Sequence, residues 1–308
     1  MSAGDEQLLD ELRPAAFAIA YRMLGSVAEA EDVVQESLVR VHRALEAGER
    51  IESPRAYVAT VATRLAIDEL RSARARRETY VGEWLPEPLV AGAADDPARR
   101  AEMADSLSLA FLVLLESLSP EQRAVLLLRD VFDYGYDEIA GIIGKNEDNV
   151  RQLAARARRH VEERRPRFES TREQHEELAR RFFAAVQEGD VGSLEALLAH
   201  DVVLHGDGGG KVPALARSLH GRSRVARTLR AWGRQGARVA GASVRQVAVN
   251  GQPGALLLDP EGRVVSVMAL DIADGRIQAV ASIVNPDKLG HLGPVADLGV
   301  LLARGKRA

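Results

Sequence analysis

Arginine is concentrated in two stretches of the sequence, and this residue type suits the binding of a polyanion. The first stretch is residues 71–77, with arginine at 71, 74, 76 and 77, and the second is residues 151–167, with seven arginines against two glutamates. A guanidinium group pairs in bidentate geometry with phosphate and with the edge of guanine. The whole chain has a net charge of −4, so we expect a polyanion partner at these two stretches only.

The second stretch begins within a pattern typical of a helix-turn-helix. Residues 137–143 predict a short helix, Gly144 a turn, and residues from about 147 a long helix for which Asn146 is a natural N-cap. The alternative is a helical hairpin whose arginine face is merely solvated. We favour the helix-turn-helix because turn, cap, spacing and basic face agree. The apolar residues expected to form the core between the two helices are Ile139, Ala140, Ile143, Val150 and Leu153.

The exposed face of the long helix suits contact with base edges in the major groove of duplex DNA. Arg151, Gln152, Ala155 and Arg156 are expected to point away from the core. Arginine pairs with guanine and glutamine with adenine, so this face predicts sequence-specific contacts. The candidate DNA-binding residues of this helix are Arg151, Gln152, Arg156, Arg158 and Arg159.

The elements that position these residues belong to more than one domain. The chain has 308 residues, 46% apolar and 28% charged, which predicts a globular protein of two or three domains. It lacks cysteine, which excludes disulfides, thiol catalysis and cysteine-bound zinc, and its histidines have no metal-ligand spacing. It has no apolar run of membrane-spanning length and no signal peptide at its N-terminus. We therefore expect a cytoplasmic protein with no membrane association, no metal and no cofactor.

The periodicity of the apolar residues changes along the chain. Helical spacing predicts three helices in the first 80 residues, then a linker interrupted by prolines, then a second helical region in which a capping box begins at Ser119. Helices followed by a curved antiparallel sheet with hairpin turns predict an α+β domain at the C-terminal end. The helices predicted there are 173–187 and 193–198, and the strands are 238–249, 255–258, 264–271 and 277–283.

Four segments of the first 80 residues resemble region two of bacterial sigma factors of the extracytoplasmic-function type, and the helix-turn-helix resembles region four of the same family. The order and spacing of these motifs over residues 8–165 make the resemblance specific. It implies a factor that binds core RNA polymerase, at its clamp helices and flap, and directs initiation at selected promoter DNA. The four segments are Tyr21-Arg-Met-Leu-Gly-Ser26, Ala28-Glu-Ala-Glu-Asp-Val-Val-Gln-Glu36, Pro54-Arg-Ala-Tyr-Val58 and Ala66-Ile-Asp-Glu-Leu-Arg-Ser72.

Three further strings look like the signatures of one subgroup of that family, which carries a C-terminal SnoaL-like domain, a cone of the nuclear-transport-factor-2 type. They are Trp84-Leu-Pro-Glu-Pro88, Asp207-Gly-Gly-Gly-Lys211 and Asn285-Pro-Asp-Lys-Leu289. The implied fold class is multidomain, with two all-α sigma domains, a region-two helical bundle and a region-four helix-turn-helix, followed by the α+β cone. The expected domains are region two at 1–80, a linker at 81–100, region four at 101–168 and the regulatory SnoaL-like domain at 169–308.

The resemblance also implies roles for charged residues of the first domain. The second helix presents the family's dock for the clamp helices, although its acids could equally be solvated charges. The loop 46–54 and the helix 55–77 correspond to the reader of the minus-ten element, where a base is taken out of the stack and backbone phosphate is bound. Asp68 and Arg71 could instead form an ion pair within their helix. The docking candidates are Asp32, Gln35, Glu36 and Arg40, and the candidates for strand or phosphate contact are Asp68, Arg71, Arg74, Arg76 and Arg77.

The three subgroup strings predict that the cone folds back on the linker and on region two and regulates the factor in cis. Prolines stiffen the linker, Trp84 is expected as an exposed anchor, and the glycines at 208–210 allow close approach of another segment. We expect Lys211 and Lys288 to pair with Glu83, Glu87 or the acids at 95 and 96. The interdomain candidates are Trp84, Pro86, Pro88, Asp207, Gly208, Gly209, Gly210, Lys211, Asn285, Pro286, Asp287 and Lys288.

The cone could instead carry an enzyme site or a small-molecule ligand. Asp201, His205, Asp207 and His220 are expected to line it, and His205 or Asp207 would serve as a general base if burial tuned its pKa. The simpler interpretation is that Asp207 closes a Gly-rich turn, and we expect no catalytic residue. The alternatives to a sigma factor are a one-component regulator with a ligand-binding cone and a cyclase-like or isomerase-like enzyme with a DNA-binding leader. A simple regulator needs neither the polymerase dock nor the arginine-rich helix.

Overall fold

A computed structural model describes residues 3–90, 108–162 and 171–305. Within these ranges the chain forms two compact units. The first is built from residues 3–79 and 112–162, and the second from residues 80–90, 108–111 and 171–305. None of the described helices is long and apolar enough to cross a membrane.

The first three helices of the first unit begin and end where local chemistry requires. Gly25 has a φ of 69° and ends the first helix, since glycine tolerates the left-handed conformation. The Ser26 hydroxyl then caps the second helix by accepting from the Glu29 amide at 3.2 Å. The three helices pack through apolar faces that include Phe17, Val34 and Val58. Their bounds are Ala3–Leu24 (α1), Val27–Glu46 (α2) and Pro54–Glu78 (α3).

The remaining helices of the first unit contain the predicted helix-turn-helix. A capping box between Ser119 and Gln122 starts one helix, and Gly144, with a φ of 67°, makes the turn between the last two. The predicted core is partly wrong, because Ile142 and Ala154 are buried there whereas Ile143 and Leu153 are only half-buried. Both residues lie within about 60° of Ile139 around the helix, so the helical period allows either, and the packing of the folded domain buries Ile142. The bounds are Leu109–Leu115 (α4), Pro120–Asp130 (α5), Tyr136–Ile143 (α6) and Glu147–Glu162 (α7).

One buried and one exposed arginine join these two groups of helices. Arg123 is 1% exposed and donates to the Met23 carbonyl at 2.6 Å and to Glu116 at 2.6 Å. Arg64 on α3 donates to the carbonyls of Ile142 at 2.7 Å and of Gly141 at 2.9 Å, at the C-terminal end of α6. Helix C-termini leave such carbonyls without partners inside the helix, so a cation there is favourable.

The second unit packs three helices against a curved sheet of six strands in the order β2-β1-β6-β5-β4-β3. All neighbouring strands are antiparallel except β1 and β6, which are parallel, so the prediction of a wholly antiparallel sheet is wrong at this pair. The helices are Arg172–Glu188 (α8), Val191–Leu197 (α9) and Arg222–Gly236 (α10), with a last helix at Leu298–Gly305 (α11). The strands are Leu198–Asp207 (β1), Leu219–His220 (β2), Ser243–Val249 (β3), Gln252–Leu258 (β4), Val264–Ala273 (β5) and Arg276–Ile283 (β6).

The two faces of this sheet have different coverings. Helices α8, α9 and α10 cover one face, and Leu204 of β1 lies in that core together with Phe182 and Leu229. Successive side chains of a strand alternate between faces, so His205 and Asp207 point to the other face. Asp207 there contacts residues of the segment 80–90 and of the tail that follows β6. One face therefore packs against α8, α9 and α10, whereas the other meets the linker and tail at β1 and packs Val265 of β5 against Leu301 of α11.

Candidate functional sites

The recognition helix of the helix-turn-helix exposes the residues that the sequence predicts. Arg151, Gln152 and Arg156 are all exposed on α7, and the Asn146 side chain caps that helix by accepting from the Asn149 amide at 2.9 Å. Arg151 pairs with Glu147 and lies 4.6 Å from the centre of the Tyr136 ring. These contacts involve exposed groups, and such pairs are weak enough to be exchanged for a partner.

A cleft of about 320 Å³ lies beside the recognition helix. Gln152 and Arg156 line it, and so do Lys145 and Asn149, which were not among the predicted contacts. Asn149 lies three residues before Gln152 and therefore on the same side of α7. Helical spacing alone would have identified it, whereas Lys145 lies in the turn and depends on the tertiary arrangement.

Arg158 differs from the other arginines of this helix because the domain itself binds it. Its guanidinium donates to Asp130 through two bonds, one of 3.0 Å, and to the Tyr136 hydroxyl at 3.3 Å. The hydrogen bond to Asp130 raises the pKa of Arg158 above its already high ordinary value, although burial opposes this. Arg158 thus fixes α7 to the end of α5, while Arg159 is exposed.

The arginine-rich helix α3 is also engaged within the first unit. Arg71 donates to Asp68 at 3.0 Å and to Glu121 at 2.6 Å, so the intrahelical ion pair considered as the alternative is formed. Burial raises the pKa of Glu121, but the hydrogen bond and charge of Arg71 outweigh it and hold this pKa below its ordinary value. The side chains of Arg74, Arg76 and Arg77 lie outside the described residues.

The predicted docking residues lie together on α2. Asp32, Gln35 and Arg40 are exposed, and Glu36 accepts from Arg40 at 2.8 Å. The opposite side of the helix, with Val34, is buried against its neighbours. Because the acidic face takes no part in the core, it is free to meet another surface.

The three subgroup strings meet at one place, which we call the linker seat: residues 80–90 together with Asp207, Asn285 and Lys288. Asp207 is 0% exposed, and its carboxylate accepts four hydrogen bonds. The donors are the Tyr80 hydroxyl at 2.5 Å, the Lys288 ammonium at 2.7 Å, and the backbone amides of Leu85 at 2.9 Å and Gly209 at 3.1 Å. A buried carboxylate is stable only with such partners, so Asp207 ties all three strings together.

Lys288 completes the linker seat from the tail. Its ammonium is 4.2 Å from the centre of the Trp84 ring and 5.0 Å from that of Tyr80, and it also donates to the Leu85 carbonyl. Aromatic faces and a carbonyl suit a desolvated cation. Burial and the bond to Asp207 raise the pKa of Tyr80 above its ordinary value, so its hydroxyl stays a donor.

Further contacts extend along the linker. The Leu89 amide donates to the Asn250 side chain at 2.9 Å, and the Asn250 amide donates to the Leu89 carbonyl at 2.8 Å. His291 in the tail contacts the Pro88 carbonyl at 2.8 Å. Pro86 and Pro88 are buried.

Three details of the predicted linker contacts are wrong. Lys288 pairs with Asp207 rather than with Glu83 or Glu87, because Asp207 on β1 is the buried carboxylate within reach. Lys211 pairs with Asp287 at 2.5 Å rather than with Glu83 or Glu87. Trp84 is half-buried over Lys288 rather than exposed. The acids at 95 and 96 lie outside the described residues.

The four candidate acid–base residues do not lie together inside the cone. Asp201 and His220 are exposed, and His205 and Asp207 lie on the sheet face opposite the apolar core, so the prediction that they line the cone is wrong. The cause is the two-residue period of β1, a strand that the sequence did not predict. Asp207 closes the Gly-rich turn through its bond to Gly209, as the simpler interpretation had it.

His205 instead contacts the linker. Its Nδ1 is 2.7 Å from Glu83 and 3.2 Å from the Ser218 hydroxyl, which itself donates to Glu83 at 2.8 Å. Burial raises the pKa of Glu83, but the hydrogen bonds from His205 and Ser218 outweigh it and lower this pKa. Both partners share one ring nitrogen, so His205 cannot relay a proton from Ser218 to Glu83 in the manner of a triad. Among the described residues, no three His, Asp or Glu side chains are arranged to bind a metal ion.

Family models match three parts of the chain: sigma-70 region 2 at residues 8–76, sigma-70 region 4 at residues 108–161, and a SnoaL-like domain at residues 179–281. The fold predicted from the sequence is therefore confirmed. The chain belongs to the extracytoplasmic-function RNA polymerase sigma factors. It binds core RNA polymerase and promoter DNA and directs promoter-specific initiation of transcription.

Individual relatives share the whole arrangement. The chain is 38% identical over 288 residues to the ECF RNA polymerase sigma factor SigJ of Mycobacterium tuberculosis, covering 91% of each chain. It is 34% identical over 284 residues to the probable sigma factor SigI of the same species, covering 91% of this chain and 92% of that one. The crystal structure of SigJ superposes with a TM-score of 0.74 at 36% identity, over 91% of this chain and 96% of the other.

Proposed function

We propose that this sigma factor acts in the cytoplasm, without catalytic turnover, and that its SnoaL-like domain regulates it in cis through the linker seat. The observation that carries the proposal is the burial of Asp207 among donors from the linker, the Gly-rich turn and the tail. The segment that connects the two sigma regions is thereby bound by the C-terminal domain. Any change in that binding alters how freely the two regions can be placed on DNA.

The packing of the first unit supports the same proposal. Arg64 and Arg71 of α3 donate to groups on α6 and α5, so parts of region two and region four lie against each other. Promoter elements named minus-ten and minus-thirty-five lie roughly 25 base pairs apart, on the order of 85 Å along a duplex. The packed regions cannot contact both elements at once. Binding to a promoter then requires these contacts to open.

Within the open factor we assign the predicted residues to their roles. Asp32, Gln35, Glu36 and Arg40 would dock on the clamp helices, and region four would meet the flap. The minus-ten strand would contact α3, through Asp68, Arg71, Arg74, Arg76 and Arg77. The minus-thirty-five duplex would contact α7 through Arg151, Gln152, Arg156 and Arg159, while Arg158, predicted with them, holds α7 against Asp130. The domain boundaries inferred from the sequence remain a prediction, and so does contact of the cone with region two. Residues 80–90 belong to the second unit.

In vitro transcription with purified core polymerase tests the regulatory role. We compare the full chain with Asp207→Ala, with a truncation after Pro286, which lacks Lys288, and with a truncation that removes the whole cone. We expect the Pro286 truncation to change promoter activity markedly and removal of the cone to weaken it. The matched control is Lys211→Ala, which breaks an exposed ion pair in the same region. The proposal fails if every variant transcribes like the full chain.

The absence of turnover has its own test. Changing Asp201, His205, Asp207 or His220 should alter regulation or stability and abolish no reaction. Conversion of a small molecule by the full chain, lost in one of these variants, would overturn this part of the proposal.

A further inference from the structure

One segment of the second unit has a charge pattern that the sites above do not explain. Between Asp207 and Asp259 the sequence contains nine of the 41 basic residues of the chain and none of its 45 acidic residues. The chain as a whole is acidic, with a net charge of −4. Such segregation of charge marks a surface that can attract a polyanion.

The fold places the centre of this segment on α10 and fixes which face is exposed. Val225, Ala226 and Leu229 are each 0% exposed and lie in the core of the second unit. The other side of the helix carries exposed arginines at spacings of three, three and four residues, which follow one face over about 15 Å. We call this set the basic stripe: Arg224, Arg227, Arg230 and Arg234.

The basic stripe is not neutralised by its surroundings. Within the described part of the chain none of its four guanidinium groups forms an ion pair with a carboxylate, whereas on α8 Arg172 pairs with Glu176 and Arg180 pairs with Glu177. Like charges three or four residues apart on a helix repel one another. A partner with closely spaced negative charges would remove that repulsion, which an isolated acidic side chain cannot do for the whole row.

We propose that the basic stripe binds the phosphate backbone of duplex DNA, as a contact additional to those of regions two and four. The chain already works on promoter DNA, and 15 Å along a duplex corresponds to about four base pairs, enough phosphates for four arginines. Arginine suits this role because its planar group pairs with phosphate in bidentate geometry. A membrane surface fits less well, because the apolar side of α10 is buried in the core and cannot insert.

Contacts of this kind carry no sequence information. They strengthen binding to any duplex. Each phosphate contact also makes log affinity fall more steeply with log salt concentration, by about 0.9 in the slope. The basic stripe therefore adds affinity and salt dependence to the factor without changing which promoter it prefers.

The test measures binding of the full chain to a promoter fragment and to a non-promoter duplex over a range of salt concentrations. We expect R227A/R230A to weaken binding to both duplexes by the same factor. The fall of log affinity with log salt concentration should become less steep, by about 1.8 in the slope. The matched control is R172A/R180A, which removes the same charge from the same unit at arginines that already have partners. Thermal unfolding of both variants confirms that each is folded.

Four results would overturn the proposal. They are an unchanged salt slope in R227A/R230A, an equal loss in the control variant, a loss seen only with the promoter fragment, and a loss confined to single-stranded RNA or to anionic vesicles. The same measurements on the holoenzyme are expected to show the same loss on promoter fragments long enough to reach the SnoaL-like domain. Specific initiation at the start site should be retained.

Discussion

The linker seat and the recognition helix place charged groups in opposite environments. In the linker seat Asp207 and Lys288 are 0% and 5% exposed, and each has several partners from different segments. On the recognition helix Arg151 and Arg156 are exposed, and they donate hydrogen bonds to Glu147 and Gln152, each four residues away on the same helix. A buried charge must be matched by its own chain, while an exposed charge can exchange a weak local partner for DNA. The two clusters should therefore respond to mutation in different assays.

The largest expected effect is on stability at the linker seat. Asp207→Ala leaves the Lys288 ammonium buried without its carboxylate, and we expect the second unit to lose about 3–5 kcal/mol of unfolding free energy. Chemical denaturation measures the loss. Asp207→Ala/Lys288→Met should recover part of it, because the unpaired cation is gone while the Leu85 amide still lacks its acceptor. A loss no larger than that of Lys211→Ala would show that the buried pair does not support the fold.

The next effect concerns the close approach of the tail to the Gly-rich turn. Gly209 has a φ of +59°, and a Cβ atom there would overlap the Asn285 side chain. Gly262 has a φ of +77° with open space around it. Alanine at either position incurs the strain of a left-handed conformation, about 1–3 kcal/mol. Only Gly209→Ala should also loosen the linker, which hydrogen exchange of residues 80–90 would detect. Equal exchange in both variants would contradict the contact.

Within the recognition helix we expect neighbouring arginines to differ. Arg156→Ala should lose roughly 1–3 kcal/mol of promoter binding and relax the preference at one base pair, with folding unchanged. Arg158→Ala should instead destabilise the first unit, because it removes the bonds to Asp130 and Tyr136. Binding titrations on a set of single-base promoter variants, with thermal unfolding, separate the two. If Arg156→Ala weakened binding to all sequences equally, Arg156 would contact phosphate rather than a base edge.

Substitutions on the surface predicted to bind core polymerase should affect stability less. Charge reversal of Asp32 and Glu36 should weaken binding to core polymerase, since the acidic face is exposed, while stability changes by less than about 0.5 kcal/mol. A pull-down of core enzyme with the double variant measures the first, and thermal unfolding the second. Normal recovery of core enzyme would count against this surface.

The smallest expected effect is a pH dependence of the linker contact. Hydrogen bonds from His205 and Ser218 hold the pKa of Glu83 below its ordinary value of 4.5. A carboxyl group whose pKa is lowered by folding contributes stability at pH values above its pKa in the unfolded chain. That stability is lost as the pH falls through its pKa in the folded chain. Protease cleavage within residues 80–90 should therefore rise in acid. Glu83→Gln should show a smaller rise than the unaltered chain, and an identical rise would exclude Glu83 as its cause.

Local patterns were sufficient to predict much of the first unit. The Asn146 cap, the Gly144 turn and the capping box at Ser119 all depend on residues within a few positions of one another, and the structure contains each of them. The hairpin turn between the predicted strands 238–249 and 255–258 depends on residues equally close together, and the structure contains it. Where the prediction was wrong, at Ile143 against Ile142, the helical period allowed both residues and tertiary packing decided between them.

Long-range pairing decided the rest. β1 has a mixed pattern of apolar and polar residues and becomes a strand by pairing in parallel with β6, about 75 residues later. That pairing turns His205 and Asp207 away from the apolar core and toward the linker. No local pattern could predict that Asp207 pairs with Lys288, because the two residues are 81 positions apart and come together only in the folded sheet.

The sequence by itself determined the family, the order of the domains and the exposed face of the recognition helix, because each of these rests on motifs, caps and periods of a few residues. It did not predict α10, so the basic stripe, which lies outside the two stretches expected to bind a polyanion, emerged only from the structure. The tertiary structure alone decided which charges are paired: Arg71 with Glu121, Arg158 with Asp130, and Lys288 with Asp207. The physical reason is that the partner of a charged group is the one that burial and distance select, and both are properties of the folded chain.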